Sequence, residues 1–300
     1  MVITGKPAGQ RLLPYLLVFP TVLFVTVFTV YPTLRAVVNS LYRQRLNIAK
    51  YRTPAFVGLE NYIQLFNDPE FLTVLTNTFI YVLGVVPLCV ATAFVFAQLV
   101  NKKMRGIGFV RLALFHPSIL PLVSAATIWM FLFTPDYGLF NSALRLFGYT
   151  GPENWTANPD LALISVMIVA VWKNTGFYMI FYLAGLQNLP QSVYEAAKLE
   201  GAGPIRTAVS ITLPLLKRTS LFVSTIAFIS AFQAVDHVFV LTGGGPSNKS
   251  TILLFYLWQE RFEKLNVGQS SAITVILIII LLVFTISNFV VSERKEVDYE

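Results

Sequence analysis

Six polar side chains interrupt stretches that are otherwise strongly apolar, and they define the chemistry open to this 300-residue chain. Lys173, Asn174 and Tyr178 break one apolar run; Gln233, Asp236 and His237 break another. Ionisable groups at membrane depth are costly and usually face a cavity or a partner, so all six are candidate contacts to a solute. Asn174 and Tyr178 are four residues apart and share a helix face, and by the same geometry Gln233 presents alongside Asp236 or His237. Amide, phenol, carboxylate and imidazole groups suit a sugar-like ligand, with Phe232, Phe239 or Trp129 as an aromatic platform. Lys173 also reads as structural glue, paired with Asp236 or with a partner subunit.

The same inventory excludes most catalysis. His116 and His237 are the only histidines and Cys89 the only cysteine, so no zinc cluster, thiolate metal site or disulfide framework is available. His116 beside Pro117 reads as a packing or helix-bending residue. No nucleophile–base constellation is present. The run Gly243-Gly244-Gly245-Pro246-Ser247-Asn248-Lys249-Ser250-Thr251 superficially suggests a phosphate loop. It lacks the Gly-Lys-Ser/Thr spacing and follows an apolar span, so a surface turn on the outside is expected.

The elements that must position these groups are membrane spans. The chain is 55% hydrophobic and only 12% charged, which is not a soluble composition. Its net charge of +7 falls in short basic runs between apolar segments, the pattern of cytoplasmic loops rather than of a nucleic-acid surface. Hydropathy predicts an all-α integral membrane protein with spans at about 12–38, 71–99, 112–133, 161–183, 219–241 and 272–291. The first is read as an uncleaved span although Lys6 and Arg11 precede it, and the third as broken near His116-Pro117 and Pro121. The connector at 39–70 should end in a short interfacial helix over 58–66. The loop at 134–160 is acidic, with Tyr149 and Trp155 as expected interface anchors, and is placed outside. Basic loops at 101–106 and 184–218 place both termini inside, against the contrary signal of Arg35, Arg43, Arg45, Lys50 and Arg52.

Between the fourth and fifth spans lies a polar island, Glu195-Ala196-Ala197-Lys198-Leu199-Glu200-Gly201, followed after nine residues by Ile211-Thr212-Leu213-Pro214. Ser192 with Glu195 three residues later fits a capping box, which starts a helix. Gly201 and Gly203 suit a left-handed C-cap, Pro204 the first turn of a second helix, and Pro214 its end. Ala196 and Ala197 keep one surface thin, as entry into a groove requires. On punctuation alone, Glu195 reads equally as a helix cap or as a contact to another protein.

This arrangement resembles the signature loop of permease subunits of ATP-binding-cassette importers that work with an external binding protein; Glu195, Ala196, Ala197, Gly201, Ile211, Leu213 and Pro214 all match. Phe56-Val57-Gly58-Leu59-Glu60-Asn61-Tyr62, Val171-Trp172-Lys173, Leu186-Gln187-Asn188-Leu189-Pro190 and Gly243-Gly244-Gly245-Pro246 resemble its carbohydrate-uptake branch, closest to the maltose-type and glycerol-phosphate-type subunits. The resemblance implies a type I importer permease fold whose signature loop is a cytoplasmic coupling helix docked in a cleft of the ATPase. Glu195 would contact the ATPase and Gly201 shape the knob, within a coupling set of Glu195, Ala196, Ala197, Gly201, Arg206, Leu213 and Pro214. Spans two to six would rock between inward-open and outward-open states.

The expected organisation is a first helix and outside connector at 1–70, a permease core at 71–292 with its coupling loop at 184–218, and a cytoplasmic tail at 293–300. The implied partners are a second, homologous permease, an ATPase dimer, an extracytoplasmic solute-binding protein and the lipid of a bacterial inner membrane. ATP and Mg²⁺ would be bound by the ATPase, with no cofactor on this chain and no catalytic residue in it. The passenger is expected to be a carbohydrate or polyol derivative, with an anionic ligand such as glycerol phosphate or a sugar sulfonate as the alternative. A proton-coupled carrier using Asp236 and His237 is the alternative of another class; it leaves the Glu195 loop without a role and lacks an internal inverted repeat.

Overall fold

The computed structural model describes residues 8–102 and 104–293; Lys6, Lys103 and all but the first residue of the expected tail lie outside the described residues. Among the described residues, four helical segments are by length and composition able to cross a membrane unbroken, at Pro14–Asn39, Pro69–Val100, Ala162–Gln187 and Val267–Val290. Two further bent pairs raise the number to six if each pair counts as one span.

The described residues fall into two compact units. In the first, α1 (Ala8–Val25) continues through a π turn at Thr26–Val30 into α2 (Tyr31–Asn39). A π turn leaves an amide out of the regular ladder, and this one sits just before Tyr31-Pro32, where proline has no amide to give. The segment Pro14–Asn39 buries no side chain against the rest of the chain. The connector holds a minimal hairpin that the sequence reading did not foresee, β1 (Tyr42–Arg43) antiparallel to β2 (Ala55–Phe56), with Tyr42 opposite Phe56. The expected interfacial helix is α3 (Glu60–Phe66), with Leu65 buried and Ile63 exposed. Asn61 donates to the carbonyls of Ser40 and Tyr42 at 2.7 and 3.0 Å, and Arg43 is ion-paired with Glu60. Part of the connector's basic charge is therefore used within the connector.

The second unit is built on α4 (Pro69–Val100), opened by Asp68, whose carboxylate accepts from the Glu70 amide at 2.9 Å. Next come α5 (Ile107–Ile119) and α6 (Leu122–Leu132), bent by 102°. The break falls at Leu120-Pro121, both extended; Pro117 lies inside α5, so the expected break at His116-Pro117 is corrected. After α7 (Leu139–Leu146) comes α8 (Ala162–Gln187), which packs along α4 and against α5.

Trp155 is not an interface anchor. It is 7% exposed, donates to Asn141 Oδ1 at 2.7 Å and packs on Phe133, Phe140 and Tyr149. The 134–160 loop thus has an aromatic core of its own, closed by Arg145 donating to both Glu153 carboxylate oxygens at 2.7 and 2.5 Å.

Beyond the polar island, the expected fifth span is two helices, α12 (Lys217–Phe232) and α13 (Asp236–Leu241), separated at 233–235. The glycine-rich run after α13 is a packed knot rather than a surface turn. Ser250 and Thr251 are fully buried, and Asn77 of α4 donates to the carbonyls of Asn248 and Thr251 at 2.8 and 3.2 Å. A side chain on Gly244 would come within 2.4 Å of Thr251 Oγ1. The second unit continues through α14 (Leu253–Trp258); residues 259–276, with the start of the apolar α15 (Val267–Glu293), belong to the first unit, and α15 from Leu277 on belongs to the second.

Candidate functional site

The break between α12 and α13 opens a cavity of about 120 Å³ whose lining includes Tyr81, Cys89, Leu122, Asn174, Tyr178, Ser230, Gln233, Asp236 and His237. α12 stops where Gln233 leaves helical conformation, at φ −92° and ψ 8°; Val235, at φ −129° and ψ −53°, precedes Asp236, which restarts the helix. Irregular backbone at membrane depth is tolerated where it is buried in protein or lines a cavity, and this one does the latter. Five of the six intramembrane groups singled out in the sequence converge here: Asn174 and Tyr178 from α8, Gln233 from the break, Asp236 and His237 from α13. Gln233 and Asp236 are exposed at its mouth, whereas Tyr178 and His237 are each 3% exposed. At ~30 Å³ per water the space takes about four waters, well below the ~300–1,000 Å³ of drug-sized ligand pockets.

Tyr81 of α4, which sequence reasoning missed, supplies the buried end: its hydroxyl meets His237 Nε2 at 2.8 Å, and His237 Nδ1 has no hydrogen-bond partner within the described residues. Tyr81 and Tyr178 are the aromatic walls. The three platforms expected from the sequence lie elsewhere. Phe232 packs on Phe79 and Phe228, Phe239 on Phe255 and Trp258, and Trp129 on Phe133, Phe140 and Trp172.

Lys173 does not join the cavity. Its ammonium donates to the carbonyls of Leu120, Ser118 and Pro117 at 2.6, 3.2 and 3.3 Å rather than pairing with Asp236. The 102° bend leaves the last carbonyls of α5 without intrahelical donors, and a cation at a helix C-terminus satisfies them.

The polar island forms an exposed knob. α9 (Gln191–Leu199) begins after Pro190, two residues earlier than the capping box requires; Ser192 is already inside the helix and no side-chain cap is made. Its end is a Schellman turn: Gly201 N–H donates to Lys198 O at 3.1 Å and Ala202 N–H to Ala197 O at 2.9 Å, with Gly201 at φ +73°. Gly203 is extended, at φ −68° and ψ 165°, and precedes the second helix instead of sharing the left-handed cap. That helix runs as α10 (Pro204–Thr207), a π turn at Ala208–Thr212 and α11 (Leu213–Leu215). It ends at Leu215, one residue past Pro214, and bends by 79° into α12; as at Pro32, a π turn comes just before the proline. Glu195, Ala196, Gly201, Arg206, Leu213 and Pro214 are exposed, while Ala197 is buried as the Schellman acceptor. Leu199 and Ile205, at 90% and 79% exposed, are apolar points on the knob that were not singled out from the sequence.

A bundle of broken and unbroken apolar helices with a polar cavity at a helix break and an exposed hairpin knob defines a membrane transport subunit. A family model for the binding-protein-dependent transport system inner membrane component matches residues 10–296, and the chain belongs to that family. It is 35% identical over 269 residues to the sulfoquinovosyl glycerol transport system permease protein SmoG of Agrobacterium fabrum, covering 90% of this chain and 86% of that one. It is 34% identical over 287 residues to the sn-glycerol-3-phosphate transport system permease protein UgpA of Yersinia pestis, covering 94% and 95%. Among solved structures, a chain of a bacterial ABC transporter involved in the import of the acidic polysaccharide alginate superposes with a TM-score of 0.80 at 18% identity, over 95% of this chain and 96% of that one. The fold is therefore that of an importer permease, and the chain is a multi-pass inner-membrane component of a binding-protein-dependent importer.

Proposed function

We propose that this subunit lines the path of a sugar or polyol derivative and takes its drive from a separate ATPase dimer docked on the α9–Gly201–α10 knob. The observation that carries the proposal is the knob itself: an exposed hairpin three residues beyond α8, whose other residues wall the cavity. Displacing such a docked element moves the helix behind it as a rigid body. ATP and Mg²⁺ are held by the ATPase, and this chain carries out no chemistry. Knob and termini face the cytoplasm, the 134–160 loop faces the solute-binding protein, and a second, homologous permease completes the path.

Within the cavity, Asn174, Tyr178, Gln233, Asp236 and His237 engage the hydroxyls of the passenger. An anionic passenger is the second reading, favoured by the sn-glycerol-3-phosphate in one relative's name. Lys173 would not hold its charge, since that ammonium is taken by three carbonyls.

The test is reconstitution with the co-expressed neighbours, followed by uptake and ATP hydrolysis. Glu195→Lys and Gly201→Asp should uncouple hydrolysis from uptake and leave membrane insertion intact. Normal ATP-driven uptake in both variants would overturn the coupling role. Uptake by this chain alone under a proton gradient would overturn the importer reading.

A further inference from the structure

α8 is one unbroken helix from Ala162 to Gln187, and the knob begins three residues beyond its end. Lys173 stands 14 residues before Gln187, roughly 21 Å back along the helix at 1.5 Å per residue. There α8 grips the bend of α5 and α6 in three ways. The Lys173 ammonium donates to three carbonyls at the end of α5, and Ser118 Oγ donates in return to the Lys173 carbonyl at 2.9 Å. One turn along, Gly176 lets the helices close until an added Cβ would lie 2.1 Å from Leu114 O. Leu122, the first residue of α6, is part of the cavity wall, and α6 packs along α13, which brings Asp236 and His237.

We infer that Lys173 is a positioning residue for transport: its clasp makes α8 and the bend of α5–α6 one body, so that a displacement of the knob reaches Leu122 and the cavity. The lysine touches no passenger. Among the described residues its ammonium donates to three backbone carbonyls, which an apolar side chain of similar length would leave unsatisfied. A guanidinium has enough donors to bridge several carbonyls, so arginine is the conservative replacement.

The inference rests on the docking of the knob on the ATPase, and the reconstituted importer separates the two. Lys173→Met should lower uptake per ATP hydrolysed by about tenfold, the cost of orphaned carbonyls at the bend, with hydrolysis by the assembled complex near wild type. Lys173→Arg should restore most of the loss. A lysine that merely stabilised the fold would lower the yield of assembled complex and leave uptake per ATP unchanged; that result overturns the inference. If Gly201→Asp uncouples and Lys173→Met does not, the clasp alone is wrong; if neither uncouples, the docking reading falls and takes the clasp with it. A second measurement keeps Lys173 in place. Spin labels on Phe109→Cys in α5 and Phe177→Cys in α8, in a Cys89→Ser chain, should report one constant distance in nucleotide-free and ATP-trapped complexes. A distance that changes with nucleotide overturns the single-body claim even if Lys173→Met fails to assemble.

Discussion

Two glycines on facing helices should respond oppositely to a methyl group. A Cβ on Gly84 would meet the tip of Met167, a flexible thioether that can turn away, whereas one on Gly176 would meet the backbone of Leu114. Gly176→Ala should therefore cost ~1–3 kcal/mol and lower the melting temperature of the purified complex, with Gly84→Ala close to neutral. Equal melting shifts would contradict the close approach of α5 and α8. At Gly201 the cost is conformational: φ is +73° and nothing lies within 4 Å of an added Cβ, so Gly201→Ala should cost about 1–2 kcal/mol locally. Uptake per ATP should fall before assembly does, because the knob is a surface feature. The residue types at the site were legible in the sequence because polar groups in apolar runs need a reason. Their destinations were not. Lys173 is satisfied by carbonyls left free only because the chain bends between α5 and α6, and Tyr81 meets His237 from 156 positions away.

Element positions followed from the thickness of a bilayer, which fixes how long an apolar helix must be: the four unbroken candidate spans lie close to those expected, whereas the fifth, expected at 219–241, is divided between α12 and α13. Helix punctuation was less transparent. Pro32 and Pro214 both lie just beyond a π turn, yet the helix runs on to Asn39 after Pro32 and ends one residue past Pro214, while the Leu120-Pro121 pair breaks a span at 102°. The start of α9 moved because Pro190, not Ser192, occupies the cap. The 134–160 loop, expected to anchor at the interface, instead encloses Trp155. Glu153 is held below its ordinary value, first by hydrogen bonds from Arg145 and then by the Asp136 amide. A carboxyl with a depressed folded-state pKa stabilises above its unfolded pKa and loses that contribution as pH falls through the folded one. Acidification below the ordinary carboxylate range should therefore loosen the loop, read as the Trp155 fluorescence change that disappears in Trp155→Phe. Glu153→Gln should abolish the pH dependence of that signal; an unchanged acid transition in this variant would remove the ion pair from the account.

At the scale of the whole molecule, a permease subunit exerts its function through what it touches on each side of the membrane. The fold places Leu199 on the α9 knob and Leu146 on the 134–160 loop, at 90% and 87% exposed, as reporters for two different partners. The central claim is that the knob is where the ATPase engages and that the loop lies on the opposite side. The most direct measurement is site-specific photocrosslinking in the reconstituted importer with a benzophenone side chain at either position. The account predicts that Leu199 crosslinks to the ATPase subunit and that Leu146 never does. A crosslink from Leu146 to the ATPase, with none from Leu199, would contradict it.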